Sequence, residues 1–257
     1  MLVKDMAVGD RLIVGAYRTF GGDRLQDIAW MKVSQNNDFI AAAEIDILEF
    51  DSQEPQSPGR ERRRGGNSFY PLSNIHNFLN AEREEWYEPT HTADQPPFRL
   101  RTGFLKDFEP WERECIEERE IVVAVPEGSK REFGRSVRIR CLVSLPSADE
   151  LGRLPASDAE DVIVEGESFD MNVFSDGFAT MTRTGTGPSR ILCYQRRRGF
   201  YPRSASNMEH ISPVIRLKGD VAVTDSSDEQ GFHYPEFPED SAYYTKADDL
   251  AAILTAG

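Results

Sequence analysis

Cysteine is scarce in this sequence, and what there is does not pair. Cys115, Cys141 and Cys193 are odd in number and widely spread over the 257-residue chain, with no Cys-x-x-Cys spacing. That argues against a disulfide framework, a zinc site or dithiol exchange. Positive charge is also short. Thirty Lys and Arg stand against 44 Asp and Glu, a formal net charge of −14, so neutralising nucleic-acid phosphate or an anionic membrane is disfavoured as the main task. No apolar run approaches the ~18 residues that cross a bilayer, and no membrane insertion is expected. The opening Met1-Leu-Val-Lys-Asp-Met-Ala-Val-Gly-Asp10 lacks the basic start and apolar run of a secretory signal, so synthesis in a cytoplasm is expected. His-x-x-x-His, Gly-x-Ser-x-Gly and phosphate-cradling glycine loops are all missing. No cofactor, metal or enzymatic reaction is expected from such a chain.

What is present is core material, 39% hydrophobic and 10% aromatic, patterned mostly as strands. Leu12–Tyr17, Ile28–Val33 and Phe39–Ile47 are rich in β-branched and aromatic residues and separated by turn residues, which predicts a meander. Ser52–Gly66, with Arg60, Arg62, Arg63 and Arg64, can bury little and reads as an exposed loop. Leu72, Ile75, Phe78 and Leu79 then recur at helical spacing, with His76 on the solvent side. A second helix is predicted over Phe108–Ile116, opened by Pro110, with Phe108, Trp111, Cys115 and Ile116 on one side.

Ile121–Val125 is apolar on both faces and predicts a central strand; Val137–Leu145 is apolar on one. Ser147-Ala-Asp-Glu150 is a capping-box pattern that starts a short helix Ala148–Leu154. The acidic stretch Ser157–Glu167 reads as a loop, Phe178–Thr184, Ile191–Gln195 and Ile211–Leu217 as closing strands, and Asp220–Gln230 as a polar link. A capped terminal helix is expected over Thr245–Leu254. In this reading Ile75, Phe78, Trp111 and Ile116 pack onto one antiparallel layer made from Ile121–Val125, Val137–Leu145 and the late strands.

Several segments occur in an order that resembles a known family. They are Val8-Gly-Asp10, Ile28-Ala-Trp30, Ser73-Asn-Ile with Phe78-Leu-Asn80, Gly103-Phe-Leu, then Phe108 and Glu112 leading into Ile116, with Cys141–Leu151 and Ile211–Leu217 further on. The order is similar to that of uncharacterised modules in bacterial, prophage and phage proteins, whose fold is like that of the C-type-lectin and formylglycine-generating-enzyme superfamily. Ser212 stands where an arginine is common. The resemblance covers about residues 8 to 218 and implies an α+β, C-type-lectin-like domain over residues 1–218. Such a domain has a twisted antiparallel sheet, two main helices and long loops, and residues 219–257 would form a C-terminal extension.

The chemistry of that superfamily is not readily placed here. Formylglycine generation needs reactive cysteines late in the chain, where Cys193 stands without a partner. Calcium-dependent sugar binding wants a third oxygen ligand where Asp94-Gln-Pro-Pro97 has proline. His91 near Asp94, and the acidic group Asp158, Glu160, Asp161, Glu165 and Glu167, are explained by loop hydrogen bonding and a solvated face.

The candidate partner- or ligand-binding residues are Arg196, Arg197, Arg198, Phe200, Tyr201 and Arg203, where arginine alternates with aromatics, and Tyr243 and Tyr244 in an aromatic tail from Phe232. By resemblance, the expectation is a non-enzymatic phage virion protein, a head-decoration, tail or receptor-binding component. It would be made in the host cytoplasm, oligomeric, and bound to other virion proteins or a host surface glycan, with its tail docked on a neighbour. A cellular glycan-binding module and a degenerate enzyme of the same superfamily are the alternatives.

Overall fold

The computed structural model describes residues 1–18, 25–42, 44–51, 68–82, 86–88, 99–125, 136–151, 161–164, 167–170, 178–183, 190–195, 199–225, 227–228 and 231–236. The architecture is α+β, mostly strands with short helices. Among the described residues no helix is long and apolar enough to cross a membrane.

A seven-stranded sheet grows from the amino-terminal meander. Strands β1 (Arg11–Tyr17), β2 (Gln26–Lys32) and β3 (Asp38–Ala41) pair antiparallel in turn. Val214–Leu217 lies beside β3, and Val143–Ser144 and Ile116–Glu117 both pair with Val214–Leu217. On the far side of β1, Phe232–His233 adds a parallel strand. This part of the aromatic tail therefore docks on its own chain, because β1 offers it an open edge. The turn before β3 uses Asn37 at φ +61°, a left-handed position that a short polar side chain tolerates.

A five-stranded sheet carries the late strands in the order Gly199–Ser204, Arg190–Gln195, Phe178–Arg183, Met208–Ile211 and β4 (Asp46–Glu49). One ribbon joins the two sheets. β4 pairs with Met208–Ile211 in the second, while β3 and Val214–Leu217 pair in the first. The two strands of the ribbon thus cross at the same corner, stitched by Ala41 N–H to the Pro213 carbonyl at 2.9 Å and Ile45 N–H to the Ile211 carbonyl at 3.0 Å.

The helices close the core. α1 (Asn74–Leu79) is capped by Ser73, whose hydroxyl accepts the His76 N–H at 3.2 Å, and it buries Ile75, Phe78 and Leu79. α2 (Pro110–Cys115) carries proline in its first turn and a reciprocal capping box between Glu109 and Glu112. Between the helices a 3-10 turn, Phe104–Asp107, contributes Phe104, which stands 5.5 Å from Tyr17 and 5.3 Å from Phe108 between ring centroids. One apolar cluster spans both sheets, holding Leu12 and Trp30 with Ile191, Cys193 and Ile215.

Several elements differ from the sequence reading. Ile121–Val125 is not central: Arg119–Ala124 pairs with Ser136–Cys141 in a two-stranded ribbon whose residues alternate inward and outward, leaving Val122 exposed. Its β-branched side chains favour a strand on either face, so apolarity overstated burial. The acidic stretch forms a hairpin, Asp161–Val164 with Glu167–Asp170, rather than a loop. Phe39–Ile47 divides into β3 and β4 at the corner. His76 does not face open solvent; its ring packs edge-on to Tyr70 at 4.8 Å, and burial pushes its pKa down. On α2 the side chain taken into the core is Glu112, while Trp111 and Cys115 are half-buried. The basic loop at Arg60–Arg64, the His91–Pro97 segment and the terminal helix at 245–254 lie outside the described residues.

Candidate functional site

Of the candidate contact residues, Arg196, Arg197, Arg198, Tyr243 and Tyr244 lie outside the described residues. Phe200, Tyr201 and Arg203 fall on the outer strand Gly199–Ser204, whose alternation sends them to different places. Phe200 packs against Tyr194, ring centroids 5.2 Å apart, at the edge of a small apolar cluster with Met31, Ile40 and Val214. Tyr201 stands opposite Cys193 and is buried. Arg203 is half-exposed, its guanidinium 5.3 Å from the centre of the Tyr201 ring and its Nε 3.0 Å from Glu209 Oε1.

Glu209 completes this group, and the sequence reading missed it. It belongs to Met208–Ile211, the fourth strand of the sheet, whereas Arg203 is on the first. In a flat sheet three strand intervals would separate them by roughly 14 Å. The sheet curls instead, because a tight turn closed by Asn207 N–H to the Ser204 carbonyl at 3.1 Å joins the two strands directly. Only the pattern of a carboxylate just before buried Ile211 hinted at an inward glutamate, and that pattern is common.

The electrostatics follow from this curl. Burial raises the Glu209 carboxyl, against the lowering effect of Arg203 and His210. Burial and then Glu209 raise the Tyr201 phenol. Burial, reinforced by Glu209, drives the Cys193 thiol far above its ordinary value, which disfavours the thiolate form. The Arg203 charge is reinforced by Glu209. The arrangement can hold a guanidinium still at the surface, with a buried carboxylate behind it.

The edge itself is guarded. Thr180 Oγ1 donates to the Leu192 carbonyl at 2.8 Å, so that carbonyl points toward Phe178–Arg183 and away from the outer strand. Pro202, the partner of Leu192, therefore turns its missing N–H outward. A proline at this position removes a donor that strand addition would need. Side chains rather than backbone are what this strand offers a partner.

Two other polar groupings are structural in form. Arg216 grips Asp38 with two hydrogen bonds, at 2.9 and 3.1 Å, while Arg119 lies 3.5 Å from the same carboxylate and donates to Ser144 Oγ at 2.6 Å. At the corner between the sheets, Tyr17 donates to Asp46 at 2.7 Å, and His210 Nδ1 lies 2.6 Å from Glu44 Oε2. Among the described residues no group of three or more His, Cys, Asp or Glu is placed to hold a metal ion. No family model matches the chain, and neither a curated protein nor a solved structure does.

Proposed function

We propose that this chain is a non-enzymatic phage virion protein with a C-type-lectin-like domain, in which the strand Gly199–Ser204 presents Arg203 to an acidic surface of a partner protein. The observation that carries this reading is the preorganisation of Arg203 by Glu209 and the Tyr201 ring, at a side-chain exposure of 45%. An arginine already held in one geometry loses less side-chain freedom on binding, and arginine is enriched where interfaces concentrate their energy. The order of elements supports the fold half of the proposal: an early meander, two short helices feeding a hairpin, and late strands in a curled sheet.

The test is assembly. The purified chain is expected to form a symmetric oligomer in sedimentation or light scattering and to co-sediment with phage particles. Pairing Arg203→Met with Glu209→Gln removes the guanidinium without leaving a buried carboxylate unmatched, and should weaken that association at least tenfold. A chain that stays monomeric and is absent from particles, or whose association ignores the double substitution, overturns the proposal.

A further inference from the structure

The two-stranded pair of Arg119–Ala124 and Ser136–Cys141 is a surface that the proposed role of Arg203 leaves unused. It springs from the edge of the first sheet, since Ile116–Glu117 and Val143–Ser144, which flank it in sequence, both pair with Val214–Leu217. Its root is fixed. Arg119 donates to Ser144 Oγ at 2.6 Å, and Asn80 Oδ1 accepts the Leu142 and Val143 N–H groups at 3.1 Å each.

Among the described strands Ser136–Cys141 pairs with Arg119–Ala124 alone, so its other side is an edge. In an antiparallel pair every second residue turns both its N–H and its C=O away from the neighbour, and at an edge these groups can take up a further strand. The proline that guards Gly199–Ser204 has no counterpart here. Along this edge Val137 and Ile139 are half-buried against the core, while Arg138 and Arg140 are exposed on the opposite face. Arg140 stands opposite Glu120 across the pair, and Arg138 reaches the same carboxylate at 2.8 Å. Two guanidinium groups beside one carboxylate make this face positive, in a chain of net charge −14.

We propose that residues 136–140 receive an extended acidic segment of a partner protein as a third strand beside this pair. Carboxylates at alternate positions of that segment lie next to Arg138 and Arg140, and the apolar side chains between them complete the cover over Val137 and Ile139. A second copy of this chain suits the edge less well. Antiparallel pairing of the strand with itself about position 138 or 139 sets Arg138 against Arg138 or Arg140, and like charges directly opposite destabilise a pair. The two arginines thus exclude self-pairing and admit a strand of the other sign.

Backbone amide shifts and hydrogen exchange of the whole protein, followed during titration with a short end-blocked peptide in which Glu and Val alternate, test this. A peptide alternating Lys and Val, and the Glu–Val peptide methylated on its backbone nitrogens, serve as controls at matched ionic strength. Saturable shifts and slowed exchange centred on residues 136–140 are expected with the unmethylated Glu–Val peptide alone. Arg138→Gln combined with Arg140→Gln should weaken that binding about tenfold. Should this variant not fold, the methylated peptide decides, since it keeps the charges and loses the backbone donors. The absence of saturable shifts, equal binding of either control peptide, or indifference to the double substitution overturns the proposal. Protection of the same amides that grows with protein concentration and needs no peptide assigns the edge to a second copy and overturns it too.

Discussion

The carboxylate of Glu112 accepts the backbone N–H of Gly15 at 2.8 Å, across 97 positions of sequence. The register of β1 slips between Ile13 and Ala16, so that Val14 and Gly15 both stand opposite Ile28, and Gly15 takes φ +73°. Such a bulge turns one N–H out of the ladder. Glu112 Oε1 receives it, while Oε2 caps α2 by accepting the Glu109 N–H at 2.8 Å. One buried side chain thus terminates a helix and repairs a strand.

Glu112→Gln should show how much this double role matters. The amide keeps one acceptor but presents its NH2 to the second donor, leaving a buried N–H unpaired at about 1–3 kcal/mol. Denaturant unfolding measures the loss. Its pH dependence has a definite sign. Burial raises the Glu112 carboxyl above its ordinary 4.5, although the Glu109 and Gly15 N–H groups pull it down. A group raised on folding contributes most below its unfolded value and loses that contribution as pH rises through the folded one. The stability advantage of the natural chain over Glu112→Gln is therefore expected to shrink as pH rises above 4.5.

Gly15→Ala should be costly for a separate reason. A Cβ there would drive into the Phe108 ring, 2.6 Å from Cδ1, and the positive φ disfavours any L side chain. Strain and overpacking together predict a loss of about 2–4 kcal/mol, read by thermal or chemical unfolding.

Asn80 joins α1 to the sheet with all four of its side-chain bonds. Its Oδ1 accepts the N–H groups of Leu142 and Val143 at 3.1 Å each, and its Nδ2 donates to the carbonyls of His76 and Val143 at 2.9 Å each. Asn80→Asp keeps the acceptor and loses the donor, placing a carboxylate against two carbonyls. A loss of about 2–3 kcal/mol is expected. Hydrogen exchange at Leu142 and Val143 distinguishes it from Asn80→Ala, which should speed exchange at both.

The thiols should rank by burial. Cys193 and Cys141 are buried, and Cys193 is held far above the ordinary thiol range by burial and then by Glu209. Cys115 is half-buried, its thiol pushed up first by burial and lowered by Lys218. Alkylation at pH 8 followed by mass spectrometry should label Cys115 slowly and the other two only on unfolding. Native labelling of Cys193 would contradict the packing of the curled sheet.

Periodicity carried a good part of the fold. The helical spacing of Leu72, Ile75, Phe78 and Leu79 identified α1, although Leu72 falls on the preceding 3-10 turn and is exposed, and the alternation from Val137 to Leu145 identified the strand Ser136–Cys141 but not the break after it, where Val143–Ser144 joins the other sheet. The early meander and two of the closing strands were legible in the same way. Local pattern failed where a charge goes inside. Lys32, fully buried, donates to the carbonyls of Val3 and Met6 at 2.9 and 2.8 Å, and nothing near it in sequence announces those partners. Glu112 and Glu209 are hidden for the same reason, since each is matched by a group on another element.

Sequence alone determined several of the strands, the first helix and the buried side of that helix, because such patterns repeat every two or three to four residues. Tertiary structure decided which strands share a sheet, that a single ribbon would turn the corner between the sheets, and that the curl of the second sheet would bring Arg203 to Glu209. The physical reason is that a buried charge or a ladder edge is satisfied by a partner far along the chain, and that choice is made only when the whole core closes.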